Sequence, residues 1–566
     1  MLVDYIPNFE FEKAKYQVKN SSWYDVIYSL ENSLNNIEAK HKLIMNKRNV
    51  YKSIRNDRLV DDIKLYILET TIEKDPSNLN IKIKFEKFLQ ATVGTDCERK
   101  FYVYAKFLDD NVNSKRASNG SGKKYNDNNS TFRLAVSNYF KSIEIGHTYL
   151  WQSLPRILEI WFDTSKNSSR ANELIPDKLK HLDSYNIAQV LQILLSRFSH
   201  IHCSSVIIEL VGKLAAEYPL QSSWWINHFK YFESSGTEAP KTTFMKQAEN
   251  RKRIGFHQEV MSHVYKLGPD YCKTKVQSKE EFENLFKGNE LFFKLILDFA
   301  NFSVKKGTKK IGVPKQLEKF DFENNSILMP IQENLRPRLP SEKEEDSKTF
   351  STYKEDPVLI KKVLPVCGIM ESKEQPKKIG LVGTDDRVYY FLLKRDDAGD
   401  LRKEARCIEY CNLVNKILEN SPETSQKSLK LHTYSIISLS RNTGLIEWIN
   451  RTSTLKSVIY NQMRRFSLRF ELNHVVMMMK KSVPTANTST VDPIWEKLNE
   501  VAKDVFWNYF SERFPTPGLM LDARMKFIQS YSAWCIIGYI IGLGDRHSDN
   551  ILLHLDTGES SHVDFD

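Results

Sequence analysis

Long apolar runs are absent from this sequence of 566 residues. The longest, residues 533–543, is shorter than the roughly 20 residues that a membrane-spanning helix needs. The N-terminal stretch carries Asp4 and Glu10 and has no apolar core, so it lacks the pattern of a signal peptide. The seven cysteines form no Cys-x-x-Cys pair, which argues against a disulfide scaffold or a zinc module. These absences predict an intracellular protein without a membrane segment.

The basic residues are numerous but scattered along the chain. The formal net charge is +11 at pH 7, a value that suits polyanionic partners. Because lysine and arginine form no single stripe, a solvated surface is the simpler explanation. We therefore infer no nucleic-acid contact from charge alone.

Apolar residues recur at helical spacing through the first three hundred residues. In residues 187–198 and 207–218 they follow the i, i+3, i+4, i+7 pattern of one helix face. Successive amphipathic helices with short connections predict a helical-repeat α-solenoid over residues 1–325. Within it, residues 111–131 are rich in Asn, Ser, Gly and Lys, which predicts a flexible loop. Proline and charge in residues 326–350 predict a linker.

From residue 351 onward the pattern changes to short strands around one helix, which predicts a small sheet lobe with a connector over residues 351–450. Lys394 closes an apolar run that reads as a buried strand, and Glu404 lies on the apolar face of the following helix. A buried carboxylate needs a cationic partner, and Lys394 is the natural candidate. Such a pair could hold nucleotide phosphates, as in kinases, or could be purely structural.

The end of the chain carries the clearest chemistry. A Gly-Leu-Gly break leads into an Asp-Arg-His triplet that begins at Asp545, and Asn550 follows five residues after that aspartate. Residues 551–555 and 561–565 predict a hairpin whose second strand bears Asp564. In phosphoryl transfer one acid orients the attacking hydroxyl, while an amide and a second acid hold magnesium. The spacing therefore indicates a phosphotransferase; a salt-bridged surface loop is the alternative.

Taken together, these motifs resemble the phosphatidylinositol-3-kinase-related protein kinases. The likeness rests on the Asp-Arg-His order, the Phe-Leu-Leu-Lys strand ending at Lys394, the Asp-Leu-Arg-Lys-Glu segment ending at Glu404, and the Gly-Leu-Ile-Glu-Trp of residues 444–448. It implies the fold class α + α/β, an α-solenoid followed by a two-lobed kinase-like domain. The large lobe would occupy residues 451–566.

Three further segments resemble the ATR-type DNA-damage checkpoint branch of that family. They are the helical segments 150–163 and 218–225 and the closing residues 562–566. The Asn- and Lys-rich composition is similar to that of fungal members. In total, the resemblance covers residues 134–566.

The resemblance implies an ATP-binding half formed by Ser372, Lys394, Glu404, Tyr434, Glu447, Trp448 and Ile449. Lys394 would contact the phosphates while paired with Glu404. Tyr434 would line the back of the adenine pocket, Trp448 would stack on the base, and the backbone of its two neighbours would bond the base edge. The loop over the phosphates contains no glycine, as is usual in this family, so Ser372 and backbone groups would serve there.

The resemblance implies a catalytic half as well. Asp545 would be the catalytic acid/base, and His547 would stabilise charge on the transferred phosphoryl group. Lys394, in contact with the phosphates, would be the third catalytic residue. Asn550 and Asp564 would bind Mg²⁺ or Mn²⁺. The chain reaches Asp566 before the activation loop and C-terminal domain of the family, so we expect residues 1–566 to be a fragment with little phosphotransferase activity alone.

The resemblance implies an ATP-dependent Ser/Thr protein kinase of the checkpoint that modifies Ser/Thr-Gln sites in the nucleus. Its partners would be a dedicated regulatory subunit that recruits it to protein-coated single-stranded DNA, and a second copy, giving a homodimer of heterodimers; no membrane is implied. A phosphoinositide lipid kinase shares the triplet and the sheet lobe and is one alternative. A non-catalytic helical scaffold is another, although every catalytic position is filled.

Overall fold

The structure is a computed structural model. It describes residues 79–92, 98–118, 130–164, 171–231, 240–273, 278–340, 350–372, 374–396, 399–465 and 504–565, and single positions at Leu65, Leu68, Val276, Met477 and Glu496. The described residues before Asp183, with Asn420–Gln426, form one compact unit, and the remaining described residues form a second. No helix in these ranges is long and apolar enough to cross a membrane.

The first unit is helical. Its helices are α1 Leu79–Thr92, α2 Glu98–Ser118, α3 Ser130–Ile145, α4 Leu150–Thr164 and α5 Ala171–His181. Each helix from α2 to α4 packs on the next one along the chain, as expected for helical repeats. The loop predicted over residues 111–131 is wrong in its first part, because α2 continues to Ser118. That part contains no Gly or Pro to stop a helix already anchored by its buried turns; residues 119–129 lie outside the described ranges.

The second unit begins with further helices and holds the sheet. These helices are α6 Ser184–Gln189, α7 Leu191–Ser196, α8 Ser204–Glu217, α9 Pro219–Ile226, α10 Pro240–Leu267 and α11 Lys279–Asn301. The single helix face predicted over residues 187–198 is divided between α6 and α7 at Val190. Helix α11 begins after Ser278, whose side chain accepts a hydrogen bond from the Glu281 N–H at 3.1 Å, the usual N-cap arrangement.

Among the described residues, seven strands form one antiparallel sheet in the order β1-β3-β4-β5-β7-β6, with β2 paired to β4. The strands are β1 Lys310–Gly312, β2 Ile360–Val363, β3 Val366–Ile369, β4 Lys377–Gly383, β5 Val388–Arg395, β6 Ile436–Ser438 and β7 Thr443–Glu447. Phe391 and Leu393 on β5 are buried in one core with Phe292 and Ile296 of α11. Because side chains alternate along a strand, Lys394 lies on the opposite face of the sheet.

The linker predicted over residues 326–350 is wrong for its first part. Ile327, Leu328 and Met329 have no exposed surface and belong to the core beneath the sheet. The Trp224 indole N–H donates to the Leu328 carbonyl at 3.0 Å, and two short helices, α12 Lys315–Glu318 and α13 Gln332–Leu335, flank this segment. Burial of the apolar run outweighs the proline and charge signal that follows it. Residues 341–349 lie outside the described ranges, and the other domain boundaries stay predictions.

The remaining helices and a small sheet carry the end of the chain. The helices are α14 Leu401–Asn420, α15 Pro422–Gln426, α16 Leu455–Arg465, α17 Val505–Arg513 and α18 Pro517–Ile541, and the strands are β8 Thr452–Thr454, β9 Ile551–His554 and β10 Ser560–His562, in the order β10-β9-β8. Helix α18 ends at Gly542, which adopts the left-handed conformation with φ 68°. Glycine tolerates this conformation without a Cβ clash, so the chain turns there into the Asp-Arg-His loop.

Candidate active site

Lys394 joins three elements of the second unit. Its Nζ lies 2.9 Å from Glu404 Oε1 on α14 and 2.7 Å from Asp564 Oδ1 after β10. The predicted pairing with Glu404 is therefore present, and the contact with Asp564 joins it to the hairpin. Burial alone would lower the pKa of Lys394, but the two carboxylates outweigh it, and its pKa lies well above the usual value. The ammonium stays charged at neutral pH.

The Asp-Arg-His loop is held by hydrogen bonds that involve its main-chain groups. The Asn550 N–H donates to the His547 carbonyl at 3.0 Å, and the Asn550 side-chain amide donates to the Asp545 carbonyl, also at 3.0 Å. Asp545 adopts a left-handed backbone with φ 47°, which Asp and Asn tolerate better than most residues. The Asp545 side chain remains 65% exposed, so the loop presents a carboxylate to incoming molecules.

His547 has a defined orientation beside that carboxylate. Its Nδ1 accepts a hydrogen bond from the Asp549 N–H at 3.2 Å, and its Nε2 lies 3.7 Å from Asp545 Oδ2. Because Nδ1 acts as an acceptor, a neutral ring carries its proton on Nε2. The N–H of the histidine therefore points to the side of the loop where Asp545 lies.

Asn550 and Asp564 suit a hard divalent cation. The Val563 N–H donates to the Asn550 carbonyl at 3.0 Å, which places Asn550, just before β9, beside the residues that follow β10. The amide nitrogen of Asn550 is already engaged, so its side-chain oxygen is the available ligand. No group of three or more His, Cys, Asp or Glu that could hold a metal occurs in the described ranges. A cation here would complete its shell with phosphate oxygens and water, as Mg²⁺ commonly does.

The predicted base-binding residues lie at the end of β7. Tyr434 is buried beside α14, and burial together with Glu404 raises its pKa well above the usual value. The Lys378 Nζ lies over the Trp448 ring, 3.7 Å from the ring centroid. The Glu447 N–H donates to the Ser435 carbonyl at 2.8 Å, so that N–H is not available to a base. Of the backbone groups of Glu447, only the carbonyl fits the predicted contact.

Ser372 lies in the loop before β4, away from these contacts. Its side chain is exposed, and its N–H donates to the Met370 carbonyl at 3.0 Å within a tight turn. The neighbouring Lys373 lies outside the described ranges. The described contacts give Ser372 no tie to Lys394 or Trp448, and its role at the phosphates stays a prediction.

Arg546 is a site residue whose role no sequence pattern indicates. Its guanidinium donates to the carbonyls of Gly544 at 2.7 Å and Val563 at 2.8 Å, and also to that of Asp564. It thereby ties the loop to the residues after β10 and supports the left-handed backbone of Asp564, where φ is 61°. Its place inside the triplet was visible, but its acceptors are main-chain groups, which no side-chain pattern reveals.

Lys378 and Lys456 were also not anticipated. Lys378 covers the Trp448 ring, and Lys456 at the start of α16 pairs with Asp549 at 2.6 Å. Lys378 on β4 contacts a residue that follows β7, and Lys456 on α16 contacts a residue that precedes β9. Their partners become apparent only once the strands and loops are placed together.

Comparison with known families bears directly on this geometry. Residues 389–566, from β5 to the end of the chain, match the family model described as phosphatidylinositol 3- and 4-kinase. This part of the chain is similar to phosphatidylinositol 3- and 4-kinase domains. Lys394, Glu404, Asp545, Asn550 and Asp564 all lie within the matched part.

Curated relatives of this chain are ATR-type checkpoint kinases, as the sequence resemblance predicted. Serine/threonine-protein kinase MEC1 of Candida albicans is 26% identical over 521 residues, which cover 87% of this chain and 21% of that protein. Protein kinase rad3 of Schizosaccharomyces pombe is 24% identical over 456 residues, covering 76% and 18%. Serine/threonine-protein kinase ATR of Arabidopsis thaliana is 27% identical over 451 residues, covering 75% and 16%. The chain thus spans about a fifth of the length of these relatives.

Solved structures of similar fold are Tel1 kinases. The structure described as the FAT and kinase domain of CtTel1 aligns with a TM-score of 0.60 at 17% identity, covering 98% of this chain and 39% of that one. The Tel1 kinase butterfly symmetric dimer gives a TM-score of 0.64 at 17% identity, covering 95% and 24%. These likenesses concern the fold alone, and they confirm the predicted class of a helical region followed by a kinase-like domain.

Proposed function

We propose that this chain carries the catalytic centre of an ATP-dependent Ser/Thr protein kinase of the ATR-type checkpoint branch. The observation that supports it best is the convergence on Lys394 of Glu404 from the sheet lobe and Asp564 from the hairpin. A strand lysine paired with a helix glutamate and placed beside a metal-binding acid is the arrangement that protein kinases use to hold ATP. The names of the curated relatives point to the same activity.

In this proposal the two halves of the site have different tasks. Lys394 neutralises phosphate charge, and Asn550 and Asp564 supply oxygen ligands to Mg²⁺ or Mn²⁺, which when bound offsets the negative charge of the ATP phosphates. Asp545 orients the substrate hydroxyl and accepts its proton. The N–H that His547 directs to the Asp545 side of the loop stabilises the transferred phosphoryl group.

The substrates, location and partners that we propose are those that the resemblance to the ATR-type branch implies. We propose Ser or Thr followed by Gln as the phosphorylated site, action in the nucleus, and a regulatory subunit that brings the kinase to protein-coated single-stranded DNA. A homodimer of heterodimers is proposed for the assembly; two of the Tel1 structures of similar fold are described as dimers. The scattered positive charge of the chain adds no argument for direct DNA contact.

A phosphoinositide kinase is the second candidate, because the matching family model is named for lipid kinases. The relatives that match three quarters or more of this chain are named protein kinases, which favours a protein substrate. The helices that precede the sheet take part in that likeness, since the alignment of MEC1 covers 87% of the chain.

Nucleotide binding is the first test, because it does not depend on the identity of the phosphate acceptor. Calorimetry should show binding of ATP that strengthens with Mg²⁺ and is lost in Lys394→Met. Transfer of labelled phosphate is then compared between a Ser-Gln peptide, the same peptide with Ser-Ala, and vesicles containing phosphatidylinositol. Labelling of vesicles but not of peptide would support the lipid kinase instead, and failure of the folded chain to bind MgATP would refute both.

A further inference from the structure

Glu447 carries a buried carboxylate with an unusual set of partners. Its Oε2 accepts hydrogen bonds from two main-chain groups, the Gln332 N–H at 2.8 Å and the Ser435 N–H at 2.9 Å. No lysine or arginine in the described ranges forms an ion pair with it, and burial raises its pKa. A carboxylate that accepts only main-chain donors has a structural task at the end of β7, immediately before Trp448.

The strand register shows which ladder hydrogen bond the Glu447 carboxylate replaces. Strands β6 and β7 pair Ile436 with Ile446, so the next pair along the ladder is Ser435 with Glu447. Opposed residues of this kind normally exchange two hydrogen bonds, each N–H donating to the other carbonyl. Only one is made here: the Glu447 N–H donates to the Ser435 carbonyl at 2.8 Å. The Ser435 N–H goes to the Glu447 carboxylate instead of the Glu447 carbonyl.

The neighbouring groups leave one acceptor and one donor at this end of the ladder. The Trp448 N–H donates to the Tyr390 carbonyl of β5 at 2.9 Å, and the Ile449 carbonyl accepts from Thr452 Oγ1 at 2.8 Å. The Ile449 N–H has no acceptor among the described residues. The Glu447 carbonyl and the Ile449 N–H therefore remain, two residues apart on the strand and separated by Trp448.

That pair matches one purine better than another. Adenine offers an amino group as donor where guanine offers a carbonyl oxygen as acceptor. A hinge that presents a carbonyl to this position pairs with the amino group of adenine and opposes the oxygen of guanine. If Ser435 captured the carbonyl, as an ordinary ladder would require, the adenine amino group would have to share that acceptor with the Ser435 N–H.

We propose that the Glu447 side chain is a specificity-determining residue: its carboxylate takes the Ser435 N–H away from the Glu447 carbonyl and so keeps that carbonyl available for the adenine amino group. Gln332 is the second anchor, since its N–H holds the same oxygen in place. The inference rests on the proposed ATP site. It assigns to the Glu447 side chain the role of keeping its own carbonyl free of the Ser435 N–H. Glu447 acts here through its own main chain and is a positioning residue.

The test compares three nucleotides that differ in the group at the position of the adenine amino group: an amino group, an oxygen or only hydrogen. Dissociation constants for ATP, GTP and purine riboside triphosphate, which lacks the amino group, are measured with Mg²⁺ for the whole chain. The unaltered protein should prefer ATP over purine riboside triphosphate. In Glu447→Ala the Ser435 N–H can return to the carbonyl, so ATP affinity should fall about tenfold, the loss expected for about 1.4 kcal/mol of hydrogen bonding. The affinity of Glu447→Ala for purine riboside triphosphate should stay within about twofold of that of the unaltered protein.

Two further variants separate selection from folding. Glu447→Gln keeps a side-chain oxygen that can accept from Ser435, so it should retain most of the preference for ATP. Glu333→Ala is the matched control, because Glu333 follows Gln332 but is exposed and pairs with Lys354; it should leave all three constants unchanged. If Glu447→Ala does not fold, Glu447→Met fills the same space without an acceptor and takes its place.

The outcomes are distinct. Loss of the ATP preference in Glu447→Ala with rescue in Glu447→Gln supports the proposal. An equal loss of affinity for all three nucleotides would overturn it, because Glu447 would then only stabilise the hinge. Failure of the unaltered protein to bind ATP would refute the proposed function itself and, with it, this inference.

Discussion

The two halves of the proposed site are built by different forces. Around Lys394 the site is buried and electrostatic: the Glu404 side chain is 5% exposed and forms an ion pair with the Lys394 ammonium. Around Asp545 it is exposed and geometric, since backbone hydrogen bonds and a left-handed residue shape the loop while its carboxylate faces outward. The comparison teaches that charge changes in the first half should cost stability and binding together. In the second half, charge changes should lower the rate of phosphoryl transfer and leave stability and nucleotide binding unchanged.

Neutralising Lys394 should have the largest effect. Lys394→Met leaves the Glu404 carboxylate buried without its ion pair, which typically costs about 3–5 kcal/mol of unfolding free energy, and MgATP binding should be lost. In the double variant Lys394→Met/Glu404→Leu most of that stability should return, because two apolar groups of similar volume replace the pair. Urea unfolding and calorimetry measure the two effects. Equal stability of the single and double variants would contradict the electrostatic half of the comparison.

Neutralising Asp545 should lower the rate of phosphoryl transfer without affecting stability or nucleotide binding. Asparagine tolerates the left-handed backbone, so Asp545→Asn should leave the unfolding free energy within about 0.5 kcal/mol and MgATP affinity nearly unchanged. Phosphorylation of a Ser-Gln peptide should fall about 10²–10⁴-fold, the usual contribution of a general base. Asp549→Asn, which removes only a surface pair with Lys456, is the control. A marked loss of stability in Asp545→Asn would show that the loop is not held by its backbone.

Asp564 belongs to both halves and should show an intermediate effect. Asp564→Asn keeps the left-handed backbone but removes the charge that meets Lys394 and the cation. The tightening of ATP binding by Mg²⁺, measured as the ratio of dissociation constants with and without the metal, should shrink at least about tenfold. An unchanged ratio would remove Asp564 from the proposed metal site.

The smallest effect is expected from acidification of the hairpin core. His562 is buried against Trp534 at a ring distance of 4.9 Å, and no described residue hydrogen-bonds its ring. Burial and Arg546 lower its pKa to about 4, whereas an unfolded histidine titrates near 6.5. The unfolded chain therefore binds the extra proton first, and stability falls as pH drops from about 6.5 towards 4.

Between pH 6.5 and 5.5 this residue should account for a loss of about 1 kcal/mol. His562→Phe keeps the stacking and should remove that share of the pH slope in urea unfolding. Burial also lowers the pKa of His228 to about 3, the pKa values of His257 and His432 to about 4, and the pKa of His554, so these histidines should keep their share of the slope. An identical slope in His562→Phe and the unaltered protein would contradict the assignment.

Much of the fold was predictable because its signals are local. The strand ending at Lys394, the helix bearing Glu404 and the final hairpin each follow from a pattern within about ten residues. The errors have the same origin: the polar start of residues 111–131 continues a helix, and residues 327–329 are buried although proline and charge follow them. Residues 327–329 pack against distant parts of the chain, which overrides their local composition, whereas α2 continues because its buried turns already anchor the helix.

The sequence by itself determined which chemical groups are present and how they are spaced: the five-residue step from Asp545 to Asn550, the hairpin, and a buried lysine and glutamate that require each other. The tertiary structure decided which of these meet. Lys394 contacts Asp564 across 170 positions of sequence, Arg546 secures main-chain carbonyls, and the Glu447 carboxylate displaces its own carbonyl from the ladder. Spacing specifies neighbours within one element, but contacts between elements depend on strand register and packing, which no periodicity encodes.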